Sequence, residues 1–215
     1  MISTCSHKNY KSSLYRTYAI SGNRGKDAGY NGNYYKDLAP KMFFWKIWHD
    51  NFGFISEDEN NKFYVEQYYN HVLSKLDPDK IYRELDSSIL LCYEDNEKFC
   101  HRHIVAEWLQ ITLEVKVPEI KVDGCLITEI TRPSYIRDYL EEVMKKDKNM
   151  RGFKSLRALY LFEKSEIIEQ KANELENRTG KNYDAYRQAA CYLRCDADEA
   201  EAKYNNMKLV KRKNN

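Results

Sequence analysis

Between Ser88 and Tyr93 the chain reads Ser-Ile-Leu-Leu-Cys-Tyr, a short unbroken apolar run bounded by polar residues. Such a run is what a strand buried on both faces of a parallel sheet requires. Leu14–Ile20 mixes aromatic and β-branched side chains before Ser21-Gly22, which predicts another strand ending in a turn. Residues 114–130 place short apolar runs around Pro118 and the Asp123-Gly124 turn, the pattern of a strand pair. Elsewhere the period is helical. Met42, Trp45 and Trp48 recur at helical spacing over 41–51, behind Pro40, and Phe43, Phe44 and Ile47 widen the apolar surface, so this helix is expected to be largely buried. Further helices are predicted near 63–76, from Asp77-Pro78 through Leu85, and over 101–113 with Ile104, Val105, Trp108 and Leu109 facing inward. From Ser134 onward the helical style is continuous. Ile136, Tyr139, Leu140, Val143 and Met144 form one stripe, and helices over 156–175 and 183–204 flank a turn at Arg178-Thr179-Gly180.

These elements describe an α/β fold, a compact and mostly parallel sheet flanked by helices. The expected division is a basic polar N-terminal arm over 1–13, an α/β core over 14–130, and a helical C-terminal extension over 131–215 packed on that core. Residues 22–37 hold four of the eight glycines and read as a long loop. A glycine-rich loop after a strand can bring backbone N–H groups to an anion, although the spacing here matches neither GxGxxG nor a P-loop.

Composition narrows the classes. Thirty-five Lys and Arg against 33 Asp and Glu give a net charge of +2, which argues against a strongly basic phosphate binder. The charge is uneven, however. Residues 1–26 carry about +5, the tail 207–215 about +4, and the body between them about −7. No apolar stretch is long enough for a membrane span, and the polar N-terminus lacks the apolar segment of a secretory signal, so a cytoplasmic, non-membrane protein is expected. The six scattered cysteines form no disulfide framework and read mainly as free thiols. The 18 tyrosines fit the same compositional bias as the abundant Asn and Lys, and are no binding signal by themselves.

Candidate chemistry is densest over 90–109, where the buried strand passes through a loop into a helix opening with Cys100, His101, Arg102 and His103. Ligands of open α/β sheets bind at the C-terminal strand edge, and a helix N-terminus offers N–H groups and about half a positive charge. Arg102 adds a planar fork, so it is the expected anion binder, with Arg24 and Ser21 of the glycine-rich loop facing it. The competing role for Arg102 is a structural pair with Glu94 or Glu107. His101 is the candidate acid, base or donor, and Glu94 the candidate base or orienter of a hydroxyl. Cys100 is a nucleophile if the helix end and Arg102 stabilise its thiolate, and otherwise a packed thiol. Cys92, Cys100, His101 and His103 do not follow a zinc spacing, so no metal and no cofactor are expected.

The strings TYAISGNRG, YYKDLAP and LLCYE…CHRHIVAEWL, over residues 14–115, resemble the bacterial and viral family catalogued as domain of unknown function 488. By that resemblance, the family-like positions are Cys92, Glu94, Cys100, His101, Arg102 and the loop Ser21–Arg24. The resemblance implies a compact α/β fold and no settled activity. The leading expectation is an enzyme that hydrolyses, or transfers a group from, a small phosphate-bearing substrate related to nucleotides or nucleic acids. The alternative is a non-catalytic nucleic-acid-binding or regulatory protein using the basic, Tyr-bearing ends. A third is an adaptor presenting the C-terminal helices. The sequence fixes no oligomeric state.

Overall fold

A computed structural model describes the backbone over residues 1–147 and 155–213, and side chains over 1–145 and 155–205. The basic stretch 207–215 therefore lies outside the described side chains. The chain divides into two compact units, Met1–Asp147 and Lys148–Asn215.

The first unit is built on one sheet. Its strands are β1 (Ser3–Ser6), β2 (Tyr10–Lys11), β3 (Thr17–Ala19), β4 (Asn33–Tyr34), β5 (Ile89–Cys92), β6 (Glu119–Asp123) and β7 (Leu126–Ile130). The order is β2-β6-β1-β5-β3-β4, all parallel, with β7 added to β6 as an antiparallel hairpin. The expected α/β sheet is thus present, and β5 lies where its unbroken apolar run places it, buried along its whole length. One expectation is overturned at once. Residues 1–13 are not a free arm, because Ser3–Ser6 is a fully buried strand lying between β5 and β6. Its Ser-Thr-Cys-Ser sequence carries little strand signal, and pairing on both sides supplies what the side chains do not.

The helices of this unit are α1 (Met42–Asp50), α2 (Glu57–His71), α3 (Pro78–Glu84), α4 (His101–Leu113) and α5 (Tyr135–Asp147). α2 begins six residues before its apolar period does, because Ser56 and Glu59 form a capping box at its start. α4 packs on β1 and β5, and α2, α3 and α5 pack on α4. On the opposite face of the sheet Cys5, Ile89, Leu91, Ile120 and Val122 form a core closed by Tyr10, Tyr15 and Tyr30. The strand period of two then turns Thr4, Leu90, Cys92 and Glu119 toward α4. α1 is not the largely buried helix its pattern predicts. Only Phe44 is buried, while Met42 is 68%, Phe43 51% and Ile47 46% exposed. The boundary at 131 also moves, since α5 belongs to the first unit and buries Ile136, Leu140, Val143 and Met144.

In the second unit α6 (Leu156–Thr179) and α7 (Asp184–Lys213) run antiparallel. Ser155 caps the start of α6, and Gly180, at φ 65°, ends it in a left-handed conformation. Ala158, Leu161, Ala197 and Ala200 form the seam, and Arg187–Glu176 and Arg194–Glu169 pair across it.

Candidate active site

β5 ends at Cys92, and residues 93–99 lead into Cys100, the residue before α4. Together with the loop after β3, this turn encloses a cleft of about 360 Å³. Its floor is Cys92, Cys100 and His101. One wall is aromatic and apolar, from Met42, Trp45, Trp48, Tyr64 and Phe99, and the other is polar, from Ser21, Asn23, Asp27, Tyr93 and Glu94. The exposed apolar face of α1 is thus accounted for in part, since Met42, Trp45 and Trp48 line a cavity instead of a core.

The polar wall is held by a small network. Ser21 Oγ accepts from Gly25 N at 3.0 Å, and Asn23 Oδ1 accepts from the Tyr93 hydroxyl. Gly25 has φ 76°, and a Cβ there would lie 2.8 Å from the His7 ring, so only glycine lets the loop close over that ring. His7 in turn sits between Tyr30 and Tyr93, with centroids 5.3 and 5.2 Å away. Burial and the nearby Arg102 charge hold it below the usual imidazole range.

Beneath the floor lies a buried charge. Arg102 is fully buried and lies outside the cleft lining. Its Nε donates to both Glu119 oxygens at 3.1 and 3.3 Å, and Nη2 lies 3.0 Å from Oε1. Thr4 Oγ1 donates to Oε2 at 2.6 Å, and His103 Nε2 lies 3.4 Å from the same oxygen. Burial tends to raise the Glu119 carboxyl, but His103, Arg102 and Thr4 outweigh it and hold it below the usual range. Arg102 Nη1 has no hydrogen-bond partner among the described residues. Arg102 is thus set behind the cleft and not among its lining residues. Its structural partner is neither Glu94 nor Glu107, and Glu107 instead binds Arg132 and Arg137.

What this charge does is act on sulfur. Burial alone would raise the Cys100 thiol, yet the Cys92 thiol, the Arg102 guanidinium and the His101 ring together hold it well below the usual thiol range. Cys92 moves the opposite way, raised by burial and by Cys100 beside it. Cys100 also stands just before the N-terminus of α4, whose dipole favours negative charge on its sulfur. The His101 Nε2–H donates to the Ile20 carbonyl at 3.0 Å. Glu94 is exposed on the cleft wall, and partial desolvation, with Cys100 nearby, raises its carboxyl.

Cys92, Cys100 and His101 offer ligand atoms within 4.8 Å of one another, close enough to raise the question of a metal. Cys92 Sγ lies 3.6 Å from Nδ1 and 3.7 Å from Nε2 of His101. His101 Nε2 is committed to the Ile20 carbonyl, so of the ring nitrogens Nδ1 is the one open to an ion here.

Of the residues singled out in the sequence, Ser21, Glu94, Cys100 and His101 meet at the cleft and Arg102 lies behind it. Arg24 does not join them. It is exposed, with its guanidinium 5.1 Å over the Tyr34 ring. Sequence reading misses Glu119, His7 and the aromatic wall. Glu119 is brought to Arg102 by strand pairing across 17 positions, and no local pattern announces it.

No curated protein and no solved structure matches this chain. The family model for DUF488-N3a, described as the active DUF488-N3 subclade, matches residues 5–113, from the central strand β1 to the last residue of α4. That span holds every residue lining the cleft and just over half the sequence, and by it the chain belongs to the DUF488 family.

Proposed function

We propose that this protein is a thiol-dependent enzyme acting on a nucleobase-bearing substrate, a nucleotide or a related nucleic-acid fragment, by hydrolysis or group transfer. The observation that carries this reading is the placement of Cys100, just before the N-terminus of α4, at the floor of an aromatic-walled cleft where its surroundings lower its thiol. The family branch is described as active, which agrees with catalysis. Trp45, Trp48 and Phe99 offer ring faces for a flat heterocycle, and Asp27 and Glu94 offer acceptors for its amino groups. Because no Lys or Arg lines the cleft, the base enters it and the phosphate stays at the mouth.

In the reaction, Cys100 sulfur forms a bond to an electrophilic substrate carbon as the bond to the leaving group breaks. Glu94, its carboxyl raised above the usual range, gives that group a proton. Water or an acceptor then displaces the sulfur and returns a proton to Glu94. Arg102 is a positioning residue that keeps Cys100 ionised.

A thermal-shift comparison tests the reading. Nucleosides and nucleotides at about 100 times their dissociation constant stabilise the protein by roughly 2.7 kcal/mol. Inorganic phosphate produces no shift, and Trp48→Ala removes the nucleoside response. Turnover of the stabilising ligand is lost in Cys100→Ser. A shift with phosphate alone, or one indifferent to Trp48→Ala, overturns the proposal.

A further inference from the structure

The floor of the cleft holds two thiols where a single nucleophile needs one. Cys92 ends a central strand and Cys100 precedes a helix, so residues 93–99 carry the chain from one sulfur back to the other. The two sulfurs lie within 4.8 Å of each other, and both line the cleft. Cys100 has extended backbone, φ −156° and ψ 144°, ahead of the first helical residue, so its side chain turns toward Cys92 without unwinding α4. A disulfide needs the sulfurs at about 2.05 Å, a closure that side-chain rotation and the adjoining loop can supply. The remaining cysteines are placed differently. Cys5 is sealed in the core on the other face of the sheet, its thiol pushed up to about 12, while Cys125, Cys191 and Cys195 are exposed.

We propose that Cys92 and Cys100 form a reversible dithiol–disulfide couple, in which a hydroperoxide oxidises Cys100 and Cys92 resolves the product. The Cys100 thiolate attacks a peroxide oxygen, the O–O bond breaks, and the departing alkoxide or hydroxide takes a proton from solvent. Cys100 is then a sulfenic acid. Cys92 gives up its proton, its sulfur attacks Cys100 sulfur, the S–S bond forms, and the S–O bond breaks to release water. Two thiols and one hydroperoxide become a disulfide, an alcohol or water, and a further water. A dithiol reductant reverses the change by exchange. The disulfide consumes the proposed nucleophile, so oxidation reversibly silences the cleft. This couple shares Cys100 with the enzymatic reading and does not depend on its substrate.

The full-length protein, reduced and then treated with hydrogen peroxide, is quenched with N-ethylmaleimide and digested with trypsin. Cleavage after Arg83, Lys98 and Arg102 puts Cys92 in peptide 84–98 and Cys100 in peptide 99–102. The expected product is these two peptides joined by a disulfide, lost on treatment with dithiothreitol. Cys92→Ser is expected to stop at a sulfenic acid on residue 100, trapped by dimedone, and Cys100→Ser to leave Cys92 reduced at the same dose. Sulfinic or sulfonic acid at Cys100 in the wild type with no joined peptide overturns the proposal, as does resistance of both cysteines to peroxide. The wild-type result stands whether or not either variant folds. Alkylation of Cys100 in the reduced protein reports the enzymatic reading separately.

Discussion

Arg102 shows how a residue can be found for the wrong reason. Its place in the first turn of a helix after a strand edge suggested a fork for an anion, and the anion it holds is the Glu119 carboxylate of its own chain, from where its charge lowers the Cys100 thiol. The pH dependence of alkylation reads this out. In wild type, iodoacetamide is expected to modify Cys100 with little loss of rate as pH falls below the usual thiol range. Arg102→Met is expected to move the Cys100 curve to higher pH, and an unmoved curve would remove Arg102 from the site. The sign for stability follows from linkage. A thiol whose folded pKa is depressed stabilises the fold at high pH, and that contribution is lost as pH falls through its folded value. Glu119→Gln leaves the guanidinium buried without its counter-charge and is expected to cost about 3–5 kcal/mol, seen as a lowered denaturation midpoint.

At the scale of elements, legibility followed the reach of the pattern. β5 and α5 are readable because each declares its own environment, an unbroken apolar run in the first and an amphipathic stripe in the second, whereas α4 is legible as a helix but is buried nearly all round. β1 is not readable, because Ser-Thr-Cys-Ser becomes central only through partners far along the chain. α1 was readable as a helix and unreadable as a wall, since helical period is the same whether a stripe meets a core or a cavity. The same limit divided the site. Cys100, His101 and Glu94 were legible from one contiguous stretch, whereas Glu119, His7 and the Trp45–Trp48 wall arrive from other elements. α1 supplies a direct check. Phe44→Ala removes the one ring of this helix that is fully buried, and is expected to cost about 3–5 kcal/mol. Phe43→Ala, at a position 51% exposed, is expected to stay within about 0.5 kcal/mol, and comparable losses in urea melts would contradict the burial pattern.

For the molecule as a whole, the division after Asp147 sets a further expectation. A chain of residues 1–147 contains the whole sheet, the cleft and α5, and is expected to unfold cooperatively and to keep the low-pH alkylation of Cys100. A fragment without a cooperative transition would make the second unit part of the fold's minimum. The central position of β1 also has a kinetic consequence. Ser3 pairs with Ile89 and Thr4 with Glu119, so the middle of the sheet is made of contacts that are among the most distant along the chain. Loop-closure entropy is met before such pairings return any stabilisation, which slows folding in proportion to their separation. A sheet formed without Ser3–Ser6 would keep an open seam between β5 and β6, and such a molecule would offer any passing extended chain the slot meant for its own first strand.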